Sequence, residues 1–385
     1  MKTASASYEP DYIDDDLRIF RDAVYKFVER ECLPSVEQWS EQGYVPREIW
    51  RKAGEAGLLM ASASAEYGGG GASFAYEVAI MESFGRLGVH QFQVSVQNAV
   101  FAPYIEHLAT EEQKKIWVPK LASGEWIGAI AMSEPGAGSD LQAIRTSARR
   151  DGDEYVINGQ KIFTTLGHVA DIIMVACKTD TKSGAKGISL FMVETTTPGF
   201  RRGRKLDKIG QEATGTAELF FEDVRVPASH LLGGAEGQGF TQMMVNLAQE
   251  RLVVAIESLA MIERALAETI AYVKDRKAFG KRVFDFQNTQ FVLAECKTEA
   301  TMARAFVDHC INRHLAGQLD AVTAAMAKYA LSELQGKVID RCLQLFGGYG
   351  YINEYPIARM FRDARVSRIY GGTNEIMRVI IGRSL

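Results

Sequence analysis

The chain has 385 residues, 47% of them hydrophobic and 24% charged, enough apolar material for packed cores and too much for a disordered chain. The length exceeds the roughly 250–300 residues that one core sustains, so two or three domains are expected. A net charge of −4 offers no global positive field, which argues against nucleic acid as a partner, and no apolar run of about 18 residues exists to insert stably in a membrane. The N-terminal stretch MKTASASYEPDYIDDD has no apolar signal core and is too acidic for a mitochondrial transit peptide. Cys32, Cys177, Cys296, Cys310 and Cys342 are scattered and form no C-x-x-C pair. They read as buried free thiols in a reducing compartment, not as a zinc site or a disulfide frame. A cytoplasmic protein is expected.

In chain order, residues 1–125 read as a helical domain. Asp14, Asp15 and Asp16 place acid at a helix start, and Leu17, Phe20, Val24, Phe27 and Val28 follow at helical spacing. Further helices are predicted over Pro46–Ala56, Ser73–Leu87, Gln91–His107 and Thr110–Leu121, the last opened by a Thr110–Gln113 capping box. From 126 to 235 the texture changes to short β-rich runs: Ile127–Met132, Tyr155–Thr165, Asp171–Thr179, Gly187–Glu194 and Ala217–Val226. Turn signals such as Asp151-Gly152, Asn158-Gly159 and Pro198-Gly199 separate them. No helix intervenes, so an antiparallel barrel or sandwich is expected, not a βαβ unit. Residues 236–385 return to long helices. One carries the stripe Leu252, Ile256, Leu259, Leu266, Ile270, Val273 and runs to about Arg276. Two more cover Gln287–Gly317 and Leu319–Phe346, and shorter ones end with Asn374–Gly382. Brief glycine turns between nearly proline-free helices read as an antiparallel bundle. The fold class is α+β, mainly α.

Against 9 prolines stand 35 glycines, and they cluster. Ser133-Glu134-Pro135-Gly136-Ala137-Gly138-Ser139-Asp140 follows a strand; such a run can converge backbone N–H groups on an anion or simply make a tight surface loop. Gly233–Gly239 reads as a linker and helix entry. Phe346-Gly347-Gly348-Tyr349-Gly350-Tyr351 spends three glycines where one would end a helix, so another backbone or a ligand comes close. Tyr370-Gly371-Gly372-Thr373-Asn374-Glu375 feeds a helix N-terminus able to bind an anion or a carbonyl oxygen. In the basic turn Arg276–Arg282, Arg276 offers a phosphate contact and Phe279 a stacking face, against the plainer reading of a solvated helix end.

Glu250 is the most telling single residue. Met243, Leu247, Glu250 and Val254 share one helical face, so a carboxylate sits on an apolar stripe. Desolvation raises a carboxyl pKa, which suits a general base working near neutrality. The alternative is a buried Glu paired with Arg251 or another arginine. No G-x-S-x-G or H-E-x-x-H pattern competes, and the six histidines show no metal-ligand spacing.

Taken together, these motifs resemble the acyl-CoA dehydrogenase family across nearly the whole chain. Ile130–Asp140 looks like one family signature and Gln344–Tyr351 with Glu354-Tyr355-Pro356 like the other; Arg276–Lys281 matches the family's basic turn. The resemblance implies an N-terminal helical domain, a middle antiparallel β-barrel and a C-terminal four-helix bundle. It implies FAD, α,β-dehydrogenation of an acyl-CoA thioester, electron transfer to electron-transferring flavoprotein, and a homotetramer. Met132, Ser133, Gly138 and Ser139 would lie along the flavin and its phosphates, and Phe163, Thr164 and Thr165 against the isoalloxazine, with Phe163 where many members have Trp. Arg276, Phe279, Gln287, Gln344, Gly347 and Gly348 would reach FAD across a subunit interface, and Thr373 and Glu375 would complete its site. Ser139, Leu247, Glu250, Arg251, Gly371 and Gly372 would face the substrate.

Many members carry the base as Glu in a Tyr-Glu-Gly-Thr sequence. Here that stretch is Tyr370-Gly371-Gly372-Thr373, so the usual base is missing. The isovaleryl and long-chain branches place it instead on the first bundle helix in a Glu-Arg pair, which here is Glu250-Arg251. A backbone N–H of the C-terminal loop, assigned to Gly371, would share the enolate oxygen with the ribityl 2′-hydroxyl. Glu250-Arg251-Leu252, Met326-Ala327-Lys328-Tyr329 and Tyr370–Met377 bring the likeness nearest to the long-chain branch. A branched-chain or terpenoid acyl-CoA, an oxygen-using acyl-CoA oxidase and a non-enzymatic CoA-binding relative are the alternatives.

Overall fold

The computed structural model describes residues 10–385; the leader reading above falls largely on residues 1–9, outside them. Asp14 caps α1 (Asp15–Phe27), accepting from Leu17 N at 2.8 Å. A short α2 (Val36–Gln42), not foreseen, ends on left-handed Gly43. Then come α3 (Arg47–Glu55), α4 (Phe74–Leu87), α5 (Ala102–Leu108) and α6 (Glu111–Ala122). The Thr110–Gln113 capping box closes both ways, as expected.

The helix expected over Gln91–His107 is broken. A 3₁₀ turn at His90–Phe92, Gln93 with φ 58° and a wide π turn over Val96–Phe101 precede α5. Gln97 and Asn98 are buried there and send their amides to Leu121 O (3.1 Å) and Leu58 O (2.8 Å). Such bulges often accompany functional sites.

The middle domain is one curled sheet: β1 (Gly128–Ala131), β2 (Ser147–Asp151), β3 (Glu154–Thr164), β4 (Ile172–Lys178), β5 (Ile188–Glu194), β6 (Phe200–Lys205) and β7 (Ala217–Pro227). It departs from the antiparallel barrel in detail. β1 pairs with β4 in parallel, and β2 touches the same edge of β4 in parallel through Ser147 and Lys178. The other pairings are antiparallel, and among the described residues β5 and β6 do not pair to close the sheet. Both unforeseen strands, β2 (SARRD) and β6 (FRRGRK), are charge-rich. For β6, an edge strand, charge guards an open ladder and hides the alternation that marks a buried strand.

The C-terminal part begins with α7 (Gly239–Asp275), followed by a ribbon of β8 (Lys277–Ala278) and β9 (Lys281–Arg282). Next come α8 (Gln287–Leu315), α9 (Ala321–Phe346), α10 (Pro356–Ala364) and α11 (Asn374–Gly382). Three long helices form the body, and the shorter α10 and α11 pack on α9. Leu252, Ile256, Leu259, Leu266 and Val273 are buried as the stripe required, against Val307, Cys310, Val338 and Ile339, while Ile270 is half-buried. Burying each such side chain contributes about 1.5–3 kcal/mol. An ion cluster of Arg86, Glu82, Glu263, Arg304 and Asp308 ties α4 to α7 and α8. α7 is thereby held on two sides, and the site is built on it.

Candidate active site

Glu250 lies about a third of the way along α7 and is 9% exposed. Tyr104, buried on α5, donates its hydroxyl proton to Glu250 Oε1 at 2.8 Å. Burial pushes the carboxyl up to about 7, while the Tyr104 hydrogen bond and the Arg251 charge pull the other way. The result is a carboxyl balanced near neutrality in a nearly dry site. Arg251 is also buried; among the described residues no carboxylate lies within ion-pair distance of it, and its Nε has no hydrogen-bond partner. The ion-pair alternative for Glu250 is therefore not formed. Leu247, one turn back, is half-buried beside it.

The C-terminal loop comes over the same face. Gly371 (φ 65°) and Gly372 (φ 87°) are left-handed, a conformation that favours glycine. A Cβ placed on Gly371 would meet only Val254 Cγ2, at 3.5 Å, and Val254 sits one turn beyond Glu250. Lys328 on α9, fully buried, holds the turn: its Nζ donates to Gly372 O and to Asn374 Oδ1, each at 2.8 Å. Burial first, then the Arg251 charge, lower the Lys328 ammonium to about 8. Thr373 Oγ1 caps α11, accepting from Ile376 N at 3.4 Å, and Glu375 is exposed in the first turn of that helix.

On the middle domain the first glycine loop and the end of β3 lie side by side. Ile162 N donates to Ser133 O at 2.9 Å. Lys161, buried on β3, donates to Met132 O (2.9 Å) and pairs with Glu134 Oε1 (2.8 Å). Glu134 also accepts from Arg145 N and Thr146 N. Gly138 and Ser139 are exposed beyond this clamp, Met132 and Ser133 are half-buried, and a Cβ on Gly138 would meet open space.

The residues fit a planar cofactor with anionic groups. Phe163 is 66% exposed and left-handed (φ 60°), and the neighbouring Thr164 Oγ1 is buried without a partner; Thr165 is half-buried. Phe279 is 96% exposed and also left-handed, at φ 50°. A strained aromatic held out to solvent costs about 1–3 kcal/mol, which a stacked partner offsets. Arg276, Gln344, Gly347 and Gly348 line a cleft of about 580 Å³ with Tyr272 and Tyr349. Arg276 stacks over the Tyr349 ring there, and Gln287 is exposed at the start of α8. Among the described residues no hydrogen bond joins this cleft to Glu250 or to the Ser133 loop.

Three family profiles match in succession: "Acyl-CoA dehydrogenase, N-terminal domain" over residues 14–125, "middle domain" over 129–224 and "C-terminal domain" over 237–385. The chain belongs to the acyl-CoA dehydrogenase family. It is an FAD-dependent oxidoreductase acting on CH–CH groups. It is 47% identical to the long-chain specific acyl-CoA dehydrogenase of Sus scrofa mitochondria, over 95% of this chain and 86% of that protein. The structure of an acyl-CoA dehydrogenase from Geobacillus kaustophilus superposes with TM-score 0.96 at 49% identity, over 98% of this chain and 99% of that one. A glutaryl-CoA dehydrogenase from Mycobacterium smegmatis in complex with FADH2 superposes at TM-score 0.90 and 31% identity, over 97% and 95% of the two chains.

Sequence reasoning missed three residues of the candidate site: Tyr104, Lys161 and Lys328. Tyr104 carries no signal beyond its place in a helix. Lys328 could have been found as a lysine among the apolar residues Ala324, Ala325, Ala327 and Leu331 of α9. Lys161 was masked by the β-bulge between Ile157 and Gly159, which shifts the inward register.

Proposed function

We propose that the enzyme dehydrogenates long-chain acyl-CoA thioesters to trans-2-enoyl-CoA and passes the electrons to an electron-transferring flavoprotein. One observation carries the proposal: a carboxyl held near neutrality, Glu250, beneath the Gly371-Gly372 turn. Bound FAD supplies the acceptor for the hydride that leaves the β-carbon. Glu250 takes the α-proton, and Tyr104 orients its carboxylate. The Gly371 N–H donates to the thioester oxygen as negative charge develops there. Lys328 fixes the turn from behind. Met132, Ser133, Gly138, Ser139, Phe163, Thr164, Thr165, Thr373 and Glu375 hold the cofactor from one protomer. Arg276, Phe279, Gln287, Gln344, Gly347 and Gly348 hold it from a second, so the assembly is at least a dimer, and the family resemblance makes it a homotetramer. Ser139, Leu247, Arg251 and Gly372 line the substrate.

The long-chain reading is supported by the 47% identity to the Sus scrofa enzyme; the Glu250-Arg251 pair on α7 fits the long-chain and isovaleryl branches alike. Domain limits at 125/126 and 235/236 follow from the change of texture. The five cysteines are free and buried, which supports a reducing compartment; no helix among the described residues is long and apolar enough to cross a membrane. A chain-length series of acyl-CoAs with an artificial acceptor tests the substrate. The highest kcat/KM is expected with long unbranched chains, and a maximum at short, branched or terpenoid chains overturns the reading. Slow reoxidation of reduced enzyme by oxygen and fast reoxidation by the flavoprotein are expected; the reverse order makes it an oxidase.

A further inference from the structure

Two cations are buried beneath the Gly371-Gly372 turn, and neither is paired with an anion. Arg251 is 6% exposed and Lys328 is 0% exposed. Lys328 spends its bonds on neutral acceptors, Gly372 O and Asn374 Oδ1, each at 2.8 Å. Arg251 Nε has no partner, and among the described residues no carboxylate lies within ion-pair distance of the guanidinium. Other buried cations of the chain are neutralised: Lys161 pairs with Glu134, and Arg304 with Glu263, each at 2.8 Å. A buried charge without a counter-charge is strongly unfavourable, so its retention at Arg251 calls for a compensating anion.

The place of Arg251 says where that anion forms. Leu247, Glu250, Arg251 and Val254 stand at i, i+3, i+4 and i+7 on one face of α7. A Cβ on Gly371 would lie 3.5 Å from Val254 Cγ2, so this face runs under the turn, while Lys328 holds the turn from α9. Burial raises the Glu250 carboxyl, and the Tyr104 hydrogen bond and then the Arg251 charge oppose the rise. Burial, then the same Arg251 charge, lower Lys328. Arg251 is thus within electrostatic reach of both the base and the anchor of the turn. The other acids nearby are occupied or remote: Glu333 on α9 accepts from Asn374 Nδ2 at 2.7 Å, and Glu375 on α11 is exposed.

We propose that the unpaired Arg251 guanidinium is held for the enolate: with Lys328 it supplies the positive field that stabilises negative charge on the thioester oxygen. When the α C–H bond breaks, its proton joins the Glu250 carboxylate and its electron pair passes into the enolate. Glu250 becomes neutral and the thioester oxygen negative, so one unit of charge moves from the base to the oxygen. The Gly371 N–H offers that oxygen a dipole. Arg251 adds a full charge, fixed in a nearly dry site where such charges act most strongly. A guanidinium tied to a carboxylate of its own would lose most of this field. Arg251 exchanges no proton, because a guanidinium stays charged.

The proposal rests on the acyl-CoA reading of the site. Its test is the pH at which bound 3-oxododecanoyl-CoA loses its α-proton in the FAD-loaded protein. The β-carbon of this ligand is a carbonyl with no hydrogen, so no hydride leaves and the flavin stays oxidised. The enolate is followed by its charge-transfer absorbance with the flavin. Glu250→Gln is the background, so that no base titrates beside the ligand. Adding Arg251→Gln should raise the half-enolisation pH by about one unit or more, a tenfold or greater loss of enolate stability. Adding Arg251→Lys instead should restore most of that loss. A rise under about 0.3 unit overturns the proposal, and so does an equal rise in both variants, which would make the effect one of packing. Should Arg251→Gln fail to retain FAD, Arg251→Met replaces it with the same limits. If the unaltered enzyme neither binds 3-oxododecanoyl-CoA nor has its flavin reduced by any acyl-CoA, the acyl-CoA reading fails instead, a different result.

Discussion

The hydroxyl of Tyr104 donates to the carboxyl of Glu250 at 2.8 Å, from α5 to α7, with both side chains almost sealed from water. The broken helix before α5 makes this contact possible, because the π turn over Val96–Phe101 redirects the chain that leads to Tyr104. A hydrogen bond to a carboxylate favours the charged form, so it opposes the rise that burial imposes on Glu250. Removing the hydroxyl in Tyr104→Phe should therefore raise the Glu250 pKa further above about 7. The acid limb of the kcat profile, which reports deprotonation of the base, should move to higher pH. An unmoved limb, or one shifted to lower pH, contradicts this role.

The same raised carboxyl weakens the fold at high pH. A group that binds its proton more tightly when folded loses stability as pH climbs from its ordinary value of 4.5 through its folded value of about 7. Glu250→Gln removes that loss. The variant should match the unaltered protein in thermal melts near pH 4.5 and exceed it above pH 7, by an amount on the order of a few kcal/mol. Equal melting differences at both pH values would contradict the assignment.

Lys161 and Glu134 form a buried pair that holds the loop at Met132. Removing only the cation, in Lys161→Met, leaves a buried carboxylate without its counter-charge and should cost about 3–5 kcal/mol. The double variant Lys161→Met with Glu134→Gln should recover a large share of that loss. Denaturant unfolding of the three proteins measures it, and simple additivity of the two substitutions would show the pair uncoupled.

Gly371 faces Val254, one turn from Glu250, with room for a side chain. Moving the carboxylate, in Glu250→Gly with Gly371→Glu, should restore part of the flavin reduction that Glu250→Gly alone abolishes. The left-handed backbone at 371 costs a non-glycine residue about 1–2 kcal/mol, so rescue should be incomplete. Absence of any rescue would show that the loop does not reach the α-carbon.

Much of this organisation is legible in the sequence because single elements announce themselves. Asp14 caps α1, Thr110 and Gln113 box α6, and Asn374–Gly382 is helical over the whole range expected. Glu250 stood out as one charge on an apolar stripe. What stayed hidden depends on contacts between distant segments. Tyr104 and Glu250 are 146 residues apart, and Lys328 and Gly372 are 44 apart; no local periodicity encodes such pairs. The strands SARRD and FRRGRK escaped because charge replaced their alternation, and Gln91–His107 because buried amides break an otherwise helical run.

The central claim is that Glu250 is the base. Its most direct test is anaerobic mixing of FAD-loaded Glu250→Gln with a long-chain acyl-CoA while flavin absorbance is followed. Binding should persist, seen as a perturbed flavin spectrum, while the reduction rate falls about 10²–10⁴-fold. Reduction within about tenfold of the unaltered enzyme would mean that another group takes the α-proton.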